Sequence, residues 1–285
     1  LPQNTFYWRK LEAAKRYAIY TLLKLNLPFG DEAGADIPAL LFRFMSDKDA
    51  SSEFTQPLEG LSPVYTGHEQ GAITINLAEA DDIARTRARI ELGEGYRTLL
   101  GHFRHELGHY YWSVLVESQP HLLQEFRAIF GDEQQDYAAA LQRYYATDRA
   151  VGWQNEYLSA YATMHPWEDW AECWAHYMHM IDTLETANAF ALSLDNEPLA
   201  SVLSTSKNKR KAIDTDKLLK NWMRLAVAMN ALNRSMGLED VYPFILTDPI
   251  RRKLNWISKL IVDYRPAART VRSVASRASS ATAKL

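Results

Sequence analysis

The segment Arg104-His105-Glu106-Leu107-Gly108-His109-Tyr110 contains the pattern His-Glu-x-x-His inside a stretch of helical character. Residues four apart share one face of a helix, so His105 and His109 can offer both imidazoles to a single metal ion. Neutral imidazole nitrogens are good zinc ligands, and two of them leave room on a tetrahedral ion for a carboxylate and a water. Glu106 is turned off the line of the two histidines but still toward the open side. There it can take a proton from that water and later pass it to a leaving group. The implied chemistry is hydrolysis of a carbonyl compound, most often a peptide. Phe103, Leu107, Tyr110, Tyr111, Trp112 and Leu115 supply apolar residues for a buried helix, where two histidines and a glutamate without a partner would be costly. A five-residue match also arises by chance, so the weight falls on a third ligand.

The pattern with glycine three and histidine six residues after the second ligand is excluded, because Trp112 and Leu115 stand there. Four other candidates, Glu168, Glu172, His176 and His179, lie near one stripe of a second helical segment running from Trp167 to about Met180. The break His165-Pro166 precedes it, and proline suits a first helical turn. A two-histidine, one-glutamate set with its carboxylate on a separate helix fits best. Glu168 and Glu172 share a face, and small Ala171 and Ala175 permit close approach to the metal-binding helix. Glu168 is therefore the expected ligand of one zinc ion. Glu172, one turn on, suits the acceptor that fixes the outer N–H of a ligating histidine. His176 and His179 are then expected as polar members of the core and His102 as a capped or core histidine, while His165 is a candidate for substrate binding.

The elements that must position these groups follow from periodicity. Residues 6 to 26 carry Phe6, Trp8, Leu11, Ala14, Ala18, Leu22 and Leu25 at helical spacing, a brace helix that ends before Pro28-Phe29-Gly30. Ala39 to Phe44 reads as a buried strand. Pro63-Val64-Tyr65 and Ala72 to Leu77, flanking Gly67 and Gly71, read as a hairpin. An open sheet edge beside the active-site helix can hold an extended peptide. Helices are expected over residues 79 to 92, 120 to 130, 133 to 146, 214 to 236 and 248 to 262, with a polar loop over 195 to 211.

Composition bounds the rest. The 285 residues are 47% hydrophobic and 24% charged, enough for a sizeable core, and the net charge of −3 argues against a bulk nucleic-acid role. One cysteine, Cys173, excludes an internal disulfide framework or a cysteine-rich zinc module in these residues and points to a reducing, cytoplasmic compartment. No apolar run approaches membrane-spanning length. The first residue is Leu1 rather than methionine, as a fragment of a longer chain would show. Residues 1 to 264 are expected as one domain, and 265 to 285, basic and rich in Ser and Ala, as a disordered tail.

Longer strings carry a family resemblance. Tyr96 to Trp112, Phe130-Gly131-Asp132 and Ser159 to Glu172 resemble the bacterial putative zinc-binding metallopeptidase family, and the likeness runs from Tyr7-Trp8 to the Tyr242-Pro243-Phe244 region. The resemblance implies a gluzincin, in which the glutamate ligand follows His-Glu-x-x-His on another helix. Lethal-factor-type gluzincins also place a tyrosine seven residues before that glutamate to stabilise an oxyanion, the position of Tyr161 here. Family members often carry an amino-terminal zinc ribbon with paired cysteines, and these 285 residues contain no such segment. The expected fold is α+β and predominantly helical, a zincin-like domain with a small sheet beside the active-site helix. The expected function is a zinc-dependent peptidase acting on peptide or protein substrates. The alternative is a zinc-stabilised binding or scaffolding protein without turnover, and a hydrolase of a non-peptide amide is a weaker third.

Overall fold

The computed structural model describes residues 2–30, 37–46, 66–82, 98–147, 150–199 and 214–264. Helix α1 (Pro2–Leu25) buries Leu11, Ala14, Ala18, Leu22 and Leu25 along one stripe, the spacing of an amphipathic helix. It stops where Asn26 turns left-handed (φ 51°) and the Leu27 amide reaches back to the Leu22 carbonyl, satisfying an end group that the helix leaves open.

Three strands follow, β1 (Leu41–Met45), β2 (Gly67–Glu69) and β3 (Ala72–Asn76). β3 is central, with β1 parallel on one side and β2 antiparallel on the other. The hairpin turns at Gln70-Gly71, both at positive φ, as a two-residue turn matched to strand twist requires. Gly71 is also a close approach, since a Cβ there would stand 2.5 Å from the Ala39 carbonyl oxygen. Two expectations are corrected. The strand expected as buried is half solvated, with Leu41 52% exposed, because β1 is an edge strand that rests only Phe42 and Phe44 on Phe103. The hairpin arms begin at Gly67, and residues 63 to 65 lie outside the described residues. Most of the helix expected over 79 to 92 lies outside them too, as does the tail from 265. A 3-10 turn occupies Leu77–Ala80.

Helix α2 (Leu99–Trp112) starts on Thr98, whose hydroxyl accepts from the Gly101 amide, and widens into a π turn over Ser113–Glu117. Helix α3 (Pro120–Phe130) has proline in its first turn. Helix α4 (Tyr137–Ala146) begins four residues later than periodicity alone suggests, because Asp136 caps it and the Asp132 side chain folds the preceding residues into a turn. Helix α5 (Pro166–Ala189) extends well past Met180, since Ile181, Leu184 and Ala187 continue its buried face. A short hairpin of β4 (Ser193–Leu194) and β5 (Glu197–Pro198) straddles the start of the expected polar loop, with β5 inside it, and residues 200 to 211 of that loop lie outside the described residues. Helices α6 (Thr215–Ser235) and α7 (Asp248–Asp263) lie close to their expected bounds.

The architecture is α+β and predominantly helical, with α2 and α5 packed at its centre. Gly108 sets their spacing: a Cβ added there would lie 2.9 Å from Ala171 Cα and 3.2 Å from Trp174 Cβ. The Trp170 indole donates to the Gly108 carbonyl at 2.8 Å, and Tyr111 stacks on Trp174 at 4.9 Å. Behind α5, α7 contributes the Lys253–Asp169 ion pair (2.6 Å) and a Ser258–Tyr177 hydrogen bond. In front, Arg104 on α2 bridges to Asp182 on α5, which also accepts from Thr21 on α1. The two central helices are thus held from several sides.

Candidate active site

His105 and His109 lie one turn apart on α2, ring centroids 4.9 Å apart, with their Nε2 atoms 3.2 Å from each other. Glu168 enters from the first turn of α5, where a helix dipole favours a carboxylate. Its Oε2 lies 2.9 Å from His105 Nε2 and its Oε1 3.5 Å from His109 Nε2. One ligand atom from each of the three falls within 4.8 Å of the others. Glu172, a turn deeper, places Oε1 2.8 Å from His105 Nδ1, a contact that fixes which ring nitrogen faces Glu168.

Electrostatics follow from crowding. Burial acts to lower the His105 pKa, but hydrogen bonds and charges from Glu168 and Glu172 override it and raise it well above the ordinary imidazole value. Burial would raise Glu168, yet His109 and His105 hold it well below the usual carboxylate range. The same balance, with His105 as the partner, brings Glu172 down to about 2. Glu168 is only 2% exposed, so its charge is viable only because cationic or donor groups surround it.

These groups open onto a cleft of about 860 Å³. One wall is β2 with Gly67 and His68. The other runs along α2 and its π turn, from His105, Glu106 and His109 to Trp112, Ser113 and Glu117. Tyr161, in a 3-10 turn, lines the cleft with its ring 6.2 Å from His105. Burial and then the Glu168 charge push its hydroxyl pKa upward, so it stays protonated and able to donate. His68 accepts from the Gly71 amide, and burial lowers its pKa to about 4, leaving it neutral.

The remaining candidates are placed elsewhere. His176, buried in the core, is hydrogen-bonded to the Tyr242 hydroxyl at 2.9 Å, and His179, half-buried, accepts from Arg104 at 3.2 Å. His102 faces Glu79 at 3.1 Å. His165 is buried and does not line the cleft. Its Nδ1 accepts from the Trp167 amide and its Nε2 donates to the Gln135 carbonyl. One group escaped the sequence analysis: Tyr137, in the first turn of α4, donates to Glu168 Oε1 at 2.9 Å and lines the cleft. The Asp136 cap places Tyr137 at a helix start, but nothing local aims it at Glu168.

The family model described as "Putative zinc-binding metallo-peptidase" matches residues 4–260. The chain belongs to that family. An uncharacterized protein of Mycobacterium bovis is 38% identical to this member over 257 residues, covering 90% of this chain and 70% of the relative. Uncharacterized proteins from two Mycobacterium tuberculosis strains match to the same extent. No solved structure matches. For a zinc-binding family, the donor set here has suitable chemistry: two imidazoles and a carboxylate suit zinc, whereas calcium and magnesium favour all-oxygen cages.

Proposed function

We propose that this protein is a zinc-dependent peptidase in which His105, His109 and Glu168 hold the ion. The observation that carries the reading is the convergence of those three donors, from two helices, on a cleft that Glu106 and Tyr161 also line. Zinc held there supplies Lewis acidity, lowering the pKa of water and polarising a carbonyl oxygen.

The chain's own groups do the rest. Glu106 accepts the proton of the attacking water and returns it to the leaving amine. Tyr161, protonated, donates to the oxygen on which charge develops. Glu172 keeps His105 oriented. The β2 edge, with Gly67 and His68 on the cleft wall, suits an extended chain that adds by main-chain hydrogen bonds. Among the described lining residues the charged side chains are Glu106, Glu117 and Glu168, with no lysine or arginine. That favours neutral or basic peptide segments over acidic ones. No helix among the described residues is long and apolar enough to cross a membrane.

The test is Glu106→Gln. It should lower peptide hydrolysis on the order of 10³-fold while the variant still binds one equivalent of zinc. A variant that cleaves as fast as the parent, or parental cleavage untouched by a chelator, overturns the reading.

A further inference from the structure

The two oxygens of Glu168 are treated differently by the protein. Oε2 faces His105 Nε2 at 2.9 Å, whereas Oε1 accepts a hydrogen bond from the Tyr137 hydroxyl at 2.9 Å. Tyr137 is held in place at its other end. Its ring packs edge-on against His165 at 5.3 Å, and the His165 ring is pinned at both nitrogens, by the Trp167 amide and the Gln135 carbonyl. Gln135 lies two residues before Tyr137 and Trp167 one before Glu168. His165 thus ties the start of α4 to the start of α5 at the point where Tyr137 meets Glu168.

We propose that Tyr137 is a positioning residue that fixes the rotation of the Glu168 carboxylate, committing Oε1 to the protein and presenting Oε2 to the metal, and that His165 acts through Tyr137 as its strut. The inference rests on the metal-binding half of the reading above and is independent of turnover. A carboxylate free to rotate presents either oxygen or both, and that freedom is lost each time a cation binds. A hydroxyl already bonded to one oxygen removes that freedom beforehand, as partners of metal ligands commonly do. Tyr137 can do so at little structural cost, because it is partly exposed at a helix start, and phenylalanine would keep the ring on His165. Asparagine at 165 would keep an N-cap acceptor for the Trp167 amide but remove the ring that supports Tyr137 and reaches Gln135.

Zinc affinity measured by competition with a chromophoric chelator tests both parts, alongside the melting midpoint of the metal-free protein. Tyr137→Phe should raise the zinc Kd on the order of tenfold with the metal-free midpoint lower by no more than about 5 °C. His165→Asn should raise it by roughly threefold. In the double variant, Kd should match that of Tyr137→Phe alone, since a strut has nothing left to hold. A Tyr137→Phe protein that binds zinc within about twofold of the parent overturns the assignment. Effects that multiply in the double variant, or a His165→Asn protein whose metal-free midpoint falls by more than about 5 °C, overturn the strut. None of these readouts uses peptide cleavage, so a protein that never turns over still gives an answer.

Discussion

Substituting Gly108 by alanine tests the closeness of α2 and α5 through the sign of its effect. In an exposed helix interior the change would stabilise by about 1 kcal/mol, because alanine loses less backbone freedom on folding than glycine. Here the new Cβ would stand 2.9 Å from Ala171 Cα, 3.2 Å from Trp174 Cβ and 3.3 Å from Ala171 Cβ, against 3.4 Å or more for ordinary contact. Ala171 and Trp174 are fully buried, and Trp170 is hydrogen-bonded to the same turn. None of them can swing aside, so the helices must part by about 0.5 Å. Overpacking of that kind costs about 1–3 kcal/mol, which outweighs the propensity gain by about 1 kcal/mol. The melting midpoint should then fall by about 2–4 °C.

The larger effect should be on metal affinity. Glu168 sits on one of the parting helices and both histidines on the other, and metal sites tolerate distance errors of about 0.2 Å. Gly108→Ala should therefore weaken zinc on the order of tenfold, more than its stability loss suggests. Differential scanning calorimetry of the metal-free protein and chelator competition read the two quantities separately. An alanine variant that melts higher than the parent and binds zinc equally well would refute the close-approach argument.

Burial lowers the pKa of His176 from 6.5 to about 4, so the unfolded chain binds the extra proton first. Its contribution is fully present above about pH 6.5 and is lost as pH falls toward 4, on the order of 3 kcal/mol. Melting midpoints from pH 7 to 4 should fall less steeply in His176→Gln, and parallel curves would rule this out. Lys253→Met strands the buried Asp169 carboxylate, which Lys253 neutralises at 2.6 Å, and should cost about 3–5 kcal/mol. Adding Asp169→Leu should recover most of that loss in a denaturant titration, and no recovery would mean that the pair is not what matters. On matched peptides, lysine near the scissile bond should give a kcat/KM several-fold above glutamate. Glu117→Gln should narrow the gap, and an unchanged preference would remove Glu117 from the recognition surface.

The parts legible in the sequence were those encoded by spacing within one helix. His105, Glu106 and His109 are related by helical geometry alone, and so are Glu168 and Glu172. Small Ala171 pointed correctly to the helix crossing. The π turn is different, because the residue types of Ser113 to Glu117 do not announce it. Tyr137 was invisible for a related reason: it belongs to the site through the meeting of two helix starts about thirty residues apart, and no periodicity reports that. His165 was read from its chemistry as a group for substrate, whereas both its nitrogens serve the backbone. The extent of α5 past Met180 is hidden because Asp182, Thr183, Glu185 and Thr186 mix polar residues into the turns that bury Ile181, Leu184 and Ala187. The partners of His176 and His179, Tyr242 and Arg104, come from distant segments.

The first two turns of α5 concentrate three carboxylates, Glu168 and Asp169 buried and Glu172 partly so, each with its own partner. Glu168 has the histidines and Tyr137, Asp169 has Lys253, and Glu172 has His105. Desolvating each costs several kcal/mol before its partner is counted, and well-packed apolar side chains at such positions are often at least as stable. Stability alone therefore gives no reason for this arrangement. Orientation does. An imidazole gripped at Nδ1 by Glu172 and a carboxylate held at one oxygen by Tyr137 have lost the rotations that a binding cation would otherwise have to remove. Lys253, from α7, anchors the intervening Asp169 at 2.6 Å, between the two glutamates. On the proposed reading, that electrostatic cost is what a preset donor geometry requires, and it should be recoverable as stability where well-packed apolar side chains replace both members of a pair.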